Sequence, residues 1–257
     1  MKEEDILSQE IKFLDDDVYY ADRKYLTNSM LGKLGKSPQH LREYFEGVGE
    51  SSPALTFGKA FHTTILEPGK VDSDIAIFDG KTRRGKVWDE FVLDNEGKTI
   101  ISVSEWNAIN QMSDIIYSND VAATFLMKSH KESVRIWETG GVKCKGKADM
   151  VIIDDNGDKI LIDIKTTQDC SLDAFRRSSM KYGYDRQAAW YLDGFGATDF
   201  WFVVIEKASP YRLAIYQASD EFIGAGRLKN NALLNKYKEF FIDKSSSIDD
   251  YYFKGLL

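Results

Sequence analysis

The stretch VKCKGKADMVIIDDNGDKILIDIKTT, residues 142–167, joins two strand-like apolar runs through an Asn-Gly turn. Each run carries charge where a sheet interior would be apolar. The first holds Asp149; the second holds Asp163 and Lys165. Side chains alternate along a strand, so Asp163 and Lys165, two apart, share a face. Whether Asp149 joins them depends on the turn. A two-residue loop, Asn156-Gly157, pairs Asp155 with Asp158 and sets Asp149 across from Ile164, which sends the two aspartates to opposite faces. A three-residue loop, Asp155-Asn156-Gly157, pairs Asp154 with Asp158 and sets Asp149 across from Asp163. Three-residue hairpins commonly place glycine in the left-handed region after a type I turn, and Gly157 suits that place, so the second register is the one expected.

Facing residues in such a register have Cβ atoms about 4.5–5.5 Å apart. Two carboxylates that close repel, and one tends to keep its proton. A divalent cation removes the conflict, and Mg²⁺ or Mn²⁺ prefers an oxygen-rich set of carboxylates, a backbone carbonyl and water. Lys165 would then hold a phosphate oxygen or an attacking water beside that cation. The competing reading is a solvated sheet edge with ordinary surface charge. Against it, Asp163 lies within ILIDIK, where burial is expected and an unpaired charge is costly.

Other residues could converge on this site. In the expected helix over Pro53–Glu67, His62 falls on a stripe with Ala54, Leu55, Gly58, Phe61, Ile65 and Leu66. A histidine there is often only a satisfied core residue, but a third metal ligand is wanted, and His40 and His130 lie in polar contexts. Gly58 on the same stripe would let the helix approach the sheet. In YDRQAAWYLDGF, Gln187 and Tyr191 are i and i+4 on one helical face, able to contact a phosphate backbone or to brace metal ligands. Arg176, Arg177, Lys181 and Arg186 supply cations around the same helices, and Lys143, Lys145 and Lys147 lie along the first strand; each also reads as an ordinary solvated base. Glu138 is a candidate extra acid or a strand-end surface residue. The five tryptophans read as core.

These residues need a sheet with helices around it. Ser37 and Pro38 open a helix to about Glu46, followed by Pro53–Glu67, Arg84–Leu93, Glu105–Tyr117 with Ser104 as N-cap, and Val121–Met127. Strands are expected at Glu132–Thr139, Val142–Asp154 and Asp158–Thr166, then helices opened by Ser171 and Tyr184. Strands Asp199–Glu206 and Tyr211–Gln217 and a helix from about Ser219 to Ile242 complete the order. This predicts an α/β fold, a central mixed sheet flanked by helices. Neither a GxGxxG nor a Walker lysine loop is present, which excludes the common nucleotide-binding patterns.

The 257 residues carry a net charge of −7, 43% hydrophobic and 29% charged residues, an ordinary globular profile that argues against a nonspecific nucleic-acid coat. No apolar run approaches the about 18–20 residues of a membrane span, and MKEEDILSQE lacks a signal-peptide pattern, so a cytoplasmic location is expected. Two cysteines, Cys144 and Cys170, fall short of a thiolate zinc or iron–sulfur site and read as buried reduced thiols. The expected organisation is a poorly anchored segment 1–24, one domain over 25–245 and a tail 246–257.

Taken together, GKAFH with His62, GKAD with Gly146 and Asp149, DIK with Asp163 and Lys165, and QAAWY with Gln187 and Tyr191 resemble the motif series of the PD-(D/E)xK nuclease superfamily, in its RecB-like branch. A lone D-x-K is weak; four motifs in order are specific. GKAFHTTILEP and KYGYDRQAAWYLDGF look most like RecE-type phage and prophage exonucleases, over roughly residues 25–245. The resemblance implies a restriction-endonuclease-like core, and metal ligation by His62, Asp149, Asp163 and the carbonyl of Ile164, with Lys165 aiding catalysis. It also implies that the helix bearing Gln187 and Tyr191 borders DNA, with Arg186 on that helix and Lys181 just before it as further candidate DNA contacts. The implied activity is Mg²⁺-dependent degradation of double-stranded DNA ends, 5′→3′, with Mn²⁺ able to substitute, by a ring-shaped homo-oligomer serving phage recombination or DNA degradation. A single-strand annealing protein is the implied partner. The same residues would equally serve an endonuclease or nickase, and a non-catalytic DNA-binding protein could retain such a fold alone.

Overall fold

Local chemistry sets the helix boundaries. The computed structural model describes residue 19 and residues 22–48 and 52–253; most of the expected segment 1–24 lies outside the described residues. Thr27 caps α1 (Asn28–Lys36) through its side chain, and Ser37 caps α2 (Pro38–Phe45), where proline sits at the start, the position at which its missing N–H costs nothing. Ser52 likewise opens α3 (Pro53–Leu66), which closes just before Pro68. A short α4 (Val71–Asp74) leads into β1 (Ile75–Phe78), then α5 (Lys86–Asp94) and β2 (Thr99–Ser102). β1 and β2 form a parallel pair that the sequence pattern did not reveal, because four residues are too few to show a period. The cap of α6 (Val103–Ser118) is Ser102 rather than the expected Ser104. Glu105 explains the difference: it completes a reciprocal capping box with Ser102, which only the S-x-x-E spacing permits.

After α7 (Asp120–Lys128) the chain builds the main sheet from β3 (His130–Thr139), β4 (Val142–Ile153) and β5 (Lys159–Thr167). It continues through α8 (Leu172–Tyr182) and α9 (Tyr184–Phe195) to β6 (Asp199–Glu206) and β7 (Leu213–Gln217). α10 (Asp220–Tyr237) ends in a π-helical turn, Lys238–Ile242, so the expected final helix changes winding over its last residues. The sheet order is β3-β4-β5-β6-β7, antiparallel except for the β5–β6 pair.

Alternation splits β5 between two cores. Ile160, Ile162 and Ile164 join Met150, Val203 and Ile205 against α3, α6 and α7. Leu161 joins Ala148, Val151, Phe200 and Phe202 against α8, α9 and α10. A third cluster, around Leu31, Leu34, Trp137, Cys144 and Trp190, fastens α1 and α2 to the far end of β3 and β4. Helices on both faces of the mixed sheet give the α/β architecture that the element order predicted. Gln39 donates to the carbonyls of Ile248 and Tyr251, and Arg42 pairs with Asp249, so residues 248–251 are tied back onto α2. Cys144 and Cys170 are buried and unpaired, as the cysteine count suggested.

Candidate active site

The β4–β5 hairpin adopts the three-residue register. Ile153 pairs with Lys159 and Met150 with Ile162, the Asp154 amide donates to the Asp158 carbonyl at 3.0 Å, and Gly157 sits at φ 87°. Continuing one step sets Asp149 against Asp163. Regular pairing stops before that step, because the Ile164 amide donates to the Asp149 carboxylate (2.9 Å) rather than to a β4 carbonyl. A side chain thus replaces a ladder bond, and the two strands part where the carboxylates meet.

Each layer sends a residue into this gap. From α3, His62 donates through Nε2 to the Ile164 carbonyl (2.9 Å), which leaves the Nδ1 lone pair facing Asp149 Oδ2 at 3.5 Å. From α9, Gln187 donates to Asp163 Oδ1 at 2.6 Å. Lys165 Nζ lies 2.7 Å from Asp163 Oδ2, yet that buried oxygen makes no directed hydrogen bond, so the contact is one of charge.

A further acid completes the group. Glu132 sits at φ 50°, between the Lys131–Met150 and Ser133–Ala148 pairs, and is therefore opposite Asp149. One ligand atom from each of His62, Glu132 and Asp149 lies within 4.8 Å of the others. Lys147 is ion-paired with Glu132. Sequence reasoning missed Glu132 and named Glu138 instead, which is exposed at the strand end, facing Lys143.

The electrostatics follow from too many acids in a partly dry gap. Burial, then the neighbouring Asp163, pushes the Asp149 carboxyl up to about 7. Burial and then Asp149 push Glu132 up to about 7. Burial pulls the Lys165 ammonium down, but Asp163 and Asp149 outweigh it and its pKa is raised, so it stays charged. Burial and the Lys165 charge lower His62, keeping the imidazole neutral and able to ligate. A lone pair and two carboxylates that burial tends to protonate call for a proton or a cation between them. The donor set of imidazole, carboxylates and the Ile164 carbonyl fits a hard or borderline divalent ion. His62, Glu132 and Asp149 would hold it, with the Ile164 carbonyl and Asp163 beside them; Asp163, expected as a ligand, is engaged by Gln187 and Lys165 and is not among the ligand atoms that converge.

Not every expected residue lies at the site. Gln187 reaches Asp163, so it braces a carboxylate. Tyr191 covers Gly146: a Cβ there would lie 2.8 Å from the Tyr191 ring and 3.2 Å from Trp137, which gives the glycine of GKAD its reason. Gly58 has no such role, since a Cβ there would meet nothing within 4 Å, and Leu55 on the expected stripe is exposed. Arg186 does not face solvent. It is buried, and its guanidinium bonds the carbonyl (2.7 Å) and side chain (2.6 Å) of Asn28, so it is a strut between α9 and α1 instead of a DNA contact. Lys145 is also buried, bonded to the carbonyls of Tyr19 and Asp22. Lys181, Arg176 and Arg177 remain exposed on α8.

A mixed sheet whose central strands part around two aspartates and a lysine, flanked by a helical histidine and a glutamine-bearing helix, defines the PD-(D/E)xK nuclease fold. Residues 27–248 match the family model described as "PDDEXK-like domain of unknown function (DUF3799)", and the chain belongs to that family. Among solved structures it is similar to a protein of Eubacterium rectale described as a "Putative exonuclease", with a TM-score of 0.62 and 15% identity over 96% of this chain and 97% of that one. It is more distantly similar to a phage-related exonuclease of Haemophilus somnus 129PT, with a TM-score of 0.37 and 15% identity over 89% of this chain and 100% of that one. No curated protein matches the chain. Among the described residues, no helix is long and apolar enough to cross a membrane.

Proposed function

We propose that this protein is a Mg²⁺-dependent deoxyribonuclease that hydrolyses double-stranded DNA from its ends, in the 5′→3′ direction. The observation that carries the reading is the convergence of His62, Asp149, Asp163 and Lys165 on one gap between β4 and β5, with Asp149 and His62 held in contact and Lys165 charged beside them. A divalent cation, when bound, supplies Lewis-acid stabilisation of the phosphate and a more acidic water. The chain's own residues do the rest. Gln187 fixes the orientation of Asp163, and the Ile164 amide fixes Asp149. Lys165, its ammonium set by Asp163, offers a positive charge to a phosphate oxygen as negative charge builds on it. His62, kept neutral, offers a lone pair without adding charge. The end requirement and direction rest on the likeness of the motifs to RecE-type exonucleases, as do the proposed ring assembly, annealing partner and role in phage recombination or DNA degradation.

The test is digestion of linear duplexes labelled separately at the 5′ and 3′ ends, with Mg²⁺ or Mn²⁺, beside a covalently closed circle. Early release of the 5′ label with the circle intact is the expected result. Cutting of the circle would make the enzyme an endonuclease. Intact DNA under every condition would leave only a fold.

A further inference from the structure

The surface beside Lys165 holds an aromatic column that neither the metal nor the carboxylates require. Phe175 is buried in the α8–α9–α10 core, with Tyr184 5.9 Å from it, centroid to centroid. Tyr182 stacks on Tyr184, 5.9 Å away at 29°, and is 58% exposed. The Lys165 ammonium lies 4.8 Å from the centre of the Tyr184 ring. The rings therefore run from the core, past the lysine, into solvent.

The bend of chain between α8 and α9 places them there. Phe175, Ser179 and Tyr182 recur at helical spacing on α8, but the stripe outruns the core it covers. Gly183, left-handed at φ 69°, then turns the chain so that Tyr184 opens α9 directly behind Tyr182. A cation flanks the exposed end. Lys181 lies over the Tyr182 ring at 5.1 Å, and the exposed Arg176 and Arg177 lie about a turn and a half earlier on α8. An exposed aromatic with Lys181 over its ring and Lys165 against the ring behind it, on a chain of net charge −7, is complementary to a polyanion that carries flat rings.

We infer that Tyr182, backed by Tyr184, is a stacking platform for a nucleobase of the strand whose phosphate lies at Lys165. Stacking reads no base edge, so the platform holds the strand without selecting sequence. Lys181, long and exposed, leaves the ring when a base arrives and pairs with that nucleotide's phosphate. This inference rests on the nuclease reading: a base is expected at Tyr182 only if a phosphodiester is bound at Lys165.

The test uses short DNA carrying 2-aminopurine near the 5′ end, bound in Ca²⁺ to prevent turnover, with steady-state cleavage measured in parallel. The wild-type chain should quench the fluorophore. Tyr182→Ala should relieve the quench and raise KM about five- to a hundredfold, with the smaller effect on kcat. Tyr182→Phe, which keeps the ring, should restore both. Since Tyr182 is largely exposed, circular dichroism should show all three proteins folded. An unaltered quench and KM in Tyr182→Ala would overturn the platform while leaving the nuclease intact, as would a change confined to oligomeric state, which would make Tyr182 a contact between copies. Failure of the wild-type protein to bind or cut any DNA would remove the nuclease reading, and the platform with it.

Discussion

Asp163 is gripped from two sides, by the Gln187 amide at 2.6 Å and the Lys165 ammonium at 2.7 Å, and the two grips serve different ends. Gln187 is neutral and positions. Lys165 carries charge that a phosphate can use. Substituting each member of the Asp163–Lys165 pair should therefore separate binding of the ion from chemistry. Lys165→Ala should retain Mn²⁺ binding by calorimetry and lose cleavage by about a hundredfold or more, the scale of removing one preorganised stabilising group. Asp163→Ala should lose both. Full cleavage by either variant would exclude the mechanism. Of the residues in this gap, Asp149, Asp163, Lys165 and His62 were legible from type and period. Glu132 was not, because a glutamate near the head of HKESVRIWET resembles a solvated strand end, and its inward turn depends on a φ of 50° that residue types do not encode. One signal was available: counting back across the Gly140-Gly141 turn, where Thr139 pairs with Val142, sets Glu132 opposite Asp149.

Helix α9 carries Gln187 to the sheet, and its placement depends on contacts well away from the chemistry. Its buried Arg186 bonds Asn28 at the start of α1, its Asp185 pairs with Lys229 of α10 at 2.5 Å, and Asn230 donates to the Arg186 carbonyl. Arg186→Ala would strip two charge-assisted bonds and leave Asn28 groups unsatisfied, at a cost of about 1.5–3 kcal/mol. Chemical denaturation should show that loss, while DNA affinity of the folded variant stays near wild type. Lys181→Ala on the exposed end of α8 should do the reverse, weakening DNA binding most at low salt with stability retained. A drop in affinity equal to that of Lys181→Ala, with no loss of stability, would return Arg186 to the DNA surface. That Arg186 serves structure and Lys181 meets solvent could not be read from KYGYDRQAAW, since most of α9 is buried and its period gives no clear polar face on which a structural base would stand out. The strand order was similarly legible only in part. β3 to β5 follow from tight turns, whereas the parallel β5–β6 pairing is a crossover that depends on the packing of α8 and α9.

At the scale of the whole molecule, the acid-rich gap couples metal, protons and stability. Asp149 and Glu132 are raised to about 7 by burial first and neighbouring acids second, so the metal-free folded chain holds protons there more tightly than the unfolded chain. A raised carboxyl contributes stability in full below the unfolded value, about pH 4, and loses it as pH rises through about 7. His62 acts in the opposite sense, since its lowered pKa penalises the folded state only as pH falls below about 6.5. Between about pH 6.5 and 8 the carboxylates therefore dominate, and the metal-free protein should soften as they ionise. A cation that replaces those protons should offset the repulsion, and do so more strongly as pH rises because fewer protons compete. At about a hundredfold excess over Kd, binding to the folded state contributes about 2.7 kcal/mol, or roughly 5–10 °C in Tm for a chain of this size. Thermal scans with Mg²⁺ or Mn²⁺ against a chelator should show that gain at about pH 8 and a smaller one at about pH 6.5, and Asp149→Asn should flatten the difference. A gain that does not depend on pH, or that survives in Asp149→Asn, would place the bound ion somewhere other than the gap between β4 and β5.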